Sequence, residues 1–217
     1  MTNNRFKAAI FDMDGLILDS EKAVIDCWEI VAARHGLEDI TEFAYSVIGR
    51  NVADTNRMFE EKYGIEPGAV AIRAEKRVIF WERFKEGLVP LKPHALELLQ
   101  TMKDRGMKIA LASSSSREDV VYEMEKLGAL PFFDAVICGD QVTKSKPDPE
   151  IFLKAADILG VKPSECIGLE DSFNGVRSCK AAGLYTVMVP DILQPDEEIA
   201  ELTDVIVGSL ADVAELL

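Results

Sequence analysis

Short apolar runs recur along the chain, with helical spacing between them. Phe6–Phe11, Lys108–Ala112, Ala135–Cys138, Glu165–Leu169, Tyr185–Val189 and Val205–Val207 are mostly apolar at successive positions rather than at alternate ones. A strand buried on both faces reads this way, as in a parallel sheet covered by helices. Helical patterns fill the gaps and end where glycine can terminate them. Pro93–Arg105 stops at Gly106, Ser116–Leu127 at Gly128 and Ser172–Ala182 at Gly183. Another helix is predicted with Asp148 as its cap and Pro149 in its first turn, ending at Gly160. The alternation predicts an α/β protein with a doubly wound, Rossmann-like parallel sheet.

Between Ser20 and Gly87 the alternation lapses and no strand is predicted. Val24, Cys27, Trp28 and Val31 share one face of a helix that Ser20 is placed to cap. Residues 52–63 and 72–84 also carry helical spacing, with Trp28, Trp81 and Phe84 expected in the packing. Gly87, Pro90 and Pro93 mark the return to the sheet. The expected organisation is a catalytic core of residues 1–17 and 89–217, with an all-helical cap over 18–88 inserted after the first strand. Two chain crossings side by side permit hinge closure. Such a closing pair of domains needs no partner subunit, so a monomer is expected.

Composition narrows the possible partners. The 217 residues carry a formal charge of −14, which disfavours nucleic acid and anionic membrane surfaces. An anionic substrate would need a metal or local positive charge to enter. Cys27, Cys138, Cys166 and Cys179 show no Cys-x-x-Cys spacing and no adjacent histidine, so they read as reduced core residues rather than zinc ligands. No signal peptide and no membrane span is predicted, and the expected location is the cytoplasm.

Ligands of an open α/β sheet bind at the carboxyl ends of its strands, so residues following each strand are considered together. Asp12 and Asp14 follow the first strand, two residues apart and so on one side of an extended backbone, with Gly15 allowing a sharp turn. Ser113, Ser114 and Ser115 follow the second strand, Lys144 and Lys146 the third, and Glu170 and Asp171 the fourth, trailed by Ser172 and Asn174. Clustered carboxylates repel unless a cation joins them, and Mg²⁺ prefers such oxygen ligands. The chemistry that fits is phosphoryl transfer. Asp12 attacks phosphorus and also binds the metal. Asp14 protonates the leaving oxygen and then deprotonates water. Lys146 and Ser113, with Ser114 beside it, hold the phosphoryl oxygens. Asp171 grips the metal, supported by Glu170 or the backbone carbonyl of Asp14. Simpler roles exist for several of these residues: Ser115 and Ser116 as helix caps, Lys144 as a solvated lysine, Glu170 and Asp171 as acids at a helix start. His35 and His94 stand apart from any nucleophile.

Asp12-Met13-Asp14-Gly15, Ala112-Ser113-Ser114, Lys146-Pro147 and Gly168-Leu169-Glu170-Asp171-Ser172 together resemble, in order and over almost the whole chain, the four motifs of the haloacid dehalogenase-like hydrolases. The helical insertion is similar to the cap of that family's β-phosphoglucomutase-like branch. The resemblance implies a Mg²⁺-dependent enzyme whose cap closes over a small phosphorylated metabolite. The pair Asp12 and Asp14 resembles the phosphate-processing members, since dehalogenases usually lack the second acid. Arg50 and Lys76 lie in cap segments where the mutases place phosphate-contacting basic residues. The mutase pattern also has a histidine four residues after the Ser or Thr of the first cap helix. Here Val24 stands in that place, which favours a sugar-phosphate phosphatase over a phosphomutase. A phospho-aspartate signalling receiver also gathers acids, a hydroxyl and a lysine around Mg²⁺. Its acids come from different strands, however, and it has no helical insertion.

Overall fold

Ala8, Ala9, Ile10 and Phe11 are all completely buried, so the first strand, β1 (Ala8–Phe11), must be covered on both faces. In the computed structural model, which describes residues 5–50 and 52–217, α1 (Glu21–His35), α2 (Ile40–Ser46), α3 (Val52–Lys62) and α4 (Ala69–Lys85) follow it. The chain returns through α5 (Ala95–Asp104) to β2 (Lys108–Ser113). Next come α6 (Arg117–Lys126), β3 (Ala135–Cys138), α7 (Glu150–Leu159), β4 (Cys166–Glu170), α8 (Phe173–Ala182) and β5 (Tyr185–Met188). The chain closes with α9 (Glu197–Leu202), β6 (Val205–Ile206) and α10 (Leu210–Val213). The six strands are parallel in the order β3-β2-β1-β4-β5-β6. The architecture is the expected doubly wound α/β sheet. Its order reverses between β1 and β4, where the helices on either side diverge and leave a crevice.

Side chains alternate across the sheet. Ala9 and Phe11 join Ile109, Leu111, Ile167 and Leu169 in the core on the α5 side. Ala8 and Ile10 join Ala110, Ala112 and, from α7, Phe152, Ala155 and Ala156 on the other. The insertion has its own core, in which Trp28, Phe43 and Phe59 stand 5.5–5.9 Å apart between ring centroids. It contains α2, which the sequence pattern did not predict. That helix is only 7 residues long and its buried positions, Ile40, Phe43 and Ala44, are too few to establish a period. The two chain crossings lie side by side. Leu18 pairs with Leu91, Asp19 N–H donates to Pro90 O at 2.9 Å, and Lys92 N–H donates to Ile17 O at 2.8 Å.

Several local expectations shift. Pro149 takes the position before α7, and Asp148 Oδ1 instead accepts from Glu150 N–H at 3.1 Å. Ser116 and Ser172 cap α6 and α8, accepting from Asp119 and Gly175 N–H. Ser20, expected to cap α1, makes no capping bond because its hydroxyl is engaged in the crevice. Trp28 is buried, whereas Trp81 is only partly so. Among the described residues no helix is long and apolar enough to cross a membrane.

Candidate active site

Asp12 is the first residue beyond β1, and its N–H donates to Leu169 O of the neighbouring strand at 3.0 Å. The backbone is therefore still held in sheet register where the carboxylate begins. Lys146, from the loop between β3 and α7, reaches across to it. The ammonium donates to Asp12 Oδ1 at 2.5 Å, Glu170 Oε1 at 2.6 Å and Ala112 O at 3.0 Å, which uses all three of its protons. Burial alone would favour neutral lysine. The charges and hydrogen bonds of Asp12 and Glu170 override it and hold Lys146 above the usual lysine range. Burial raises Asp12, although Lys146 opposes the shift.

Glu170 ends β4 with no exposed surface. Its Oε2 accepts from Ser172 N–H at 3.3 Å and Ser172 Oγ at 3.1 Å. Burial, then the charge of Asp12 against that of Lys146, leaves its carboxyl at about 7. A Cβ on Gly175 would lie 1.9 Å from the carboxyl carbon, so only glycine at that point of α8 leaves room for Glu170. Asp171 is different. Its Oδ1 is buried and has no hydrogen-bond partner. Burial and the charges of Asp12 and Glu170 push its carboxyl well above the usual range. Asp12, Glu170 and Asp171 each offer one oxygen, all within 4.8 Å of one another. Three buried acids thus face one lysine.

Gly15 is required beside this trio. Its φ is +76°, and a Cβ there would stand 2.2 Å from Asp171 Oδ2. Gly15→Ala must shift Asp171 as well as strain the backbone by about 1–2 kcal/mol. It is expected to lower Tm and to abolish any stabilisation by Mg²⁺. A thermal melt with and without the ion checks both.

Asp14 lies outside the trio. Its Oδ1 accepts from Ser20 Oγ at 2.9 Å and its Oδ2 from Ser115 Oγ at 3.1 Å. Burial and then the charge of Asp12 raise it to about 6, against these two hydrogen bonds. In sequence Ser20 and Ser115 read as helix caps, since a serine before a helix looks the same whichever way its hydroxyl turns. Ser113 is wholly buried and accepts from Ser115 N–H at 3.1 Å, whereas Ser114 lines the cleft. Among the described residues Asn174 accepts from Arg177, at 3.5 Å, and makes no bond to a group of the site. Lys144 is exposed. His35 pairs with Glu75 at 2.7 Å and does not line the cleft.

The cleft, of about 250 Å³, lies between this sheet edge and the helical insertion. Asp12, Asp14, Lys146 and Asp171 line it from the sheet, and Arg50, Arg73, Lys76 and Trp28 from the helices. Lys76 stands 5.0 Å over the Trp28 ring, and burial, then Arg73, lower its ammonium to about 8. Arg50 is exposed, with its Nε donating to Ser46 O at 2.9 Å. Two further buried acids line the cleft with no sequence motif to announce them. Burial raises Glu21 to about 8 and Glu123 to about 9. Arg77 of α4 and Asp119 of α6 form an ion pair between the insertion and the sheet domain.

The sequence model of the haloacid dehalogenase-like hydrolases matches residues 9–189. The chain belongs to this family. Hexitol phosphatase B of Escherichia coli strain K12 is 31% identical over 221 residues, covering 98% of this chain and 96% of its own length. The phosphorylated carbohydrates phosphatase of Thermotoga maritima is 31% identical over 185 residues, covering 83% of each. Among solved structures, CbbY from Rhodobacter sphaeroides in complex with phosphate superimposes with a TM-score of 0.80 at 27% identity, covering 96% of both chains. β-Phosphoglucomutase from Clostridium difficile gives 0.79 at 28% identity, covering 96% of this chain and 93% of that one. This member of the haloacid dehalogenase-like family is a phosphoric monoester hydrolase.

Proposed function

We propose that this haloacid dehalogenase-like hydrolase is a Mg²⁺-dependent phosphatase of a small sugar or polyol phosphate, working through an aspartyl-phosphate on Asp12. The observation that carries the reading is the pair of acids after β1. Asp12 is held by Lys146, and Asp14, two residues on, is held by two serine hydroxyls on the same cleft wall. One Asp12 oxygen attacks phosphorus, and the bond from phosphorus to the leaving oxygen breaks. Lys146 offsets the negative charge that gathers there. Asp14, near 6, gives its proton to the departing alkoxide and takes one from the water that cleaves the acyl phosphate. Ser114 holds the phosphoryl oxygens from the cleft wall; Ser113, expected to do the same, is wholly buried with its Oγ accepting from Ser115 N–H, and it braces the turn beneath them.

The acids fit a cation. The unpartnered buried oxygen of Asp171 and the closeness of Asp12, Glu170 and Asp171 are costly without one. Asp12 and Asp171 would hold Mg²⁺, with Glu170 and Asp14 in support. Bound there, the ion supplies positive charge to the phosphoryl group. Residues 18–88 act as the cap, and Arg50 and Lys76 contact substrate from it. Val24, apolar and lining the cleft, offers no group to assist a mutase's proton transfer. Four free, buried cysteines support a reducing, cytoplasmic setting, and a cleft lined by the chain's own helices supports a monomer.

A panel of phosphorylated metabolites tests the reading. Sugar and polyol phosphates are expected to release inorganic phosphate, EDTA to stop the reaction and Mg²⁺ to restore it. Mg²⁺ should also raise Tm, since it binds the folded site alone. Turnover indifferent to EDTA and to added Mg²⁺ would remove the cation from the mechanism.

A further inference from the structure

Glu123 takes no part in the chemistry above, yet its position is costly. It lies on α6 with only 3% of its surface exposed, and that surface lines the cleft. Among the described residues its carboxyl makes no hydrogen bond, and its oxygens open into the cleft. The nearest cation, Arg77, is already committed to Asp119. A carboxyl so placed loses its water when a ligand fills the cleft, unless the ligand supplies the hydrogen bonds instead. Beside it on the cleft wall stands Trp81 of α4, partly exposed and packed edge-on against Tyr122 at 5.3 Å. Phe80 completes the aromatic side of the wall.

We propose that Glu123 and Trp81 form the specificity wall for the leaving group, with Glu123 hydrogen-bonding its hydroxyls and Trp81 packing on its C–H face. This rests on the phosphatase reading and assigns the residues that select the uncharged, polyhydroxylated leaving group of its substrate. Such a molecule is apolar along its carbon skeleton and polar at its edges, which matches an indole face beside a carboxyl group. Burial favours the neutral acid at Glu123, which offers a donor and an acceptor, as a hydroxyl does. The cleft-facing carboxyl loses water on binding and regains hydrogen bonds only from a ligand that brings hydroxyls, which makes the recognition specific to such ligands.

The test compares sorbitol 6-phosphate with p-nitrophenyl phosphate, whose leaving group has no other hydroxyl. Glu123→Leu is expected to lower the ratio of kcat/KM for the polyol to that for the aryl ester about tenfold or more, chiefly through KM. Glu123→Gln, which keeps a donor and an acceptor, should retain the ratio within about threefold. A merely structural role predicts an equal loss for the two esters, which leaves the ratio unchanged. An unchanged ratio in Glu123→Leu, or a loss in Glu123→Gln as large as that in Glu123→Leu, overturns the assignment. Failure of the parent enzyme to release phosphate from either ester would instead refute the phosphatase reading.

Discussion

Asp12→Asn lowers turnover of every phosphate ester by about 10³-fold or more, the scale expected when a nucleophile is removed. The amide nearly preserves the shape of the carboxyl, and its oxygen can still accept from Lys146. The fold should therefore survive. In the absence of Mg²⁺ the variant should melt no lower than the parent, because one of three crowded carboxylates has become neutral. Steady-state release of phosphate and a thermal melt test the two halves separately. Covalent labelling should follow the same pattern. Brief exposure of the parent enzyme to substrate, followed by acid quench, should add one phosphoryl group to the peptide containing Asp12, and the variant should add none. Turnover retained within tenfold of the parent would take the nucleophile role away from Asp12.

Asp14→Asn is expected to cost about 10²–10⁴-fold, the range for loss of a positioned general acid and base. The loss should depend on the leaving group. An alkyl phosphate departs as a strongly basic alkoxide and needs the proton, whereas p-nitrophenolate is a weak base and needs it much less. Formation of the aspartyl-phosphate from p-nitrophenyl phosphate should then be nearly preserved while its hydrolysis is slowed, so phosphoenzyme should accumulate. The pH profile carries the same information. Asp14 is raised to about 6 by burial and by the charge of Asp12. Leaving-group protonation needs its acid form and fades as pH rises through that value. Water activation needs its base form and fades as pH falls through it. Parent turnover of an alkyl phosphate is expected to be bell-shaped around this region, and the Asn variant should be flat there. A variant whose profile and leaving-group dependence match those of the parent would exclude Asp14 from proton transfer.

Ser20 and Ser115 show where the sequence ceased to be legible. Both precede helices, and in sequence each is indistinguishable from Ser116, which does cap α6. Only the approach of β1 to β2, paired from Ala8 with Lys108 to Phe11 with Leu111, brings Asp14 within reach of Ser115, 101 positions along the chain. Glu21 and Glu123 were missed for a related reason. An acid on a helix reads as solvent-facing unless something outside the helix buries it, and here the closing of the helical insertion over the sheet edge does so. Lys76 is similar. Its place in the insertion marked it as a candidate, but its position over the Trp28 ring depends on how α1 and α4 pack.

Local order along the chain determined the strands, most helices, the helical insertion and the four groups at strand ends. Those features rest on short-range periodicity and on strand termini, which neighbouring residues specify. The tertiary structure alone decided which hydroxyls hold Asp14, which acids lose water, and which carboxyl oxygens crowd together. Such properties depend on distance and desolvation between segments far apart in the chain, and residue spacing contains neither.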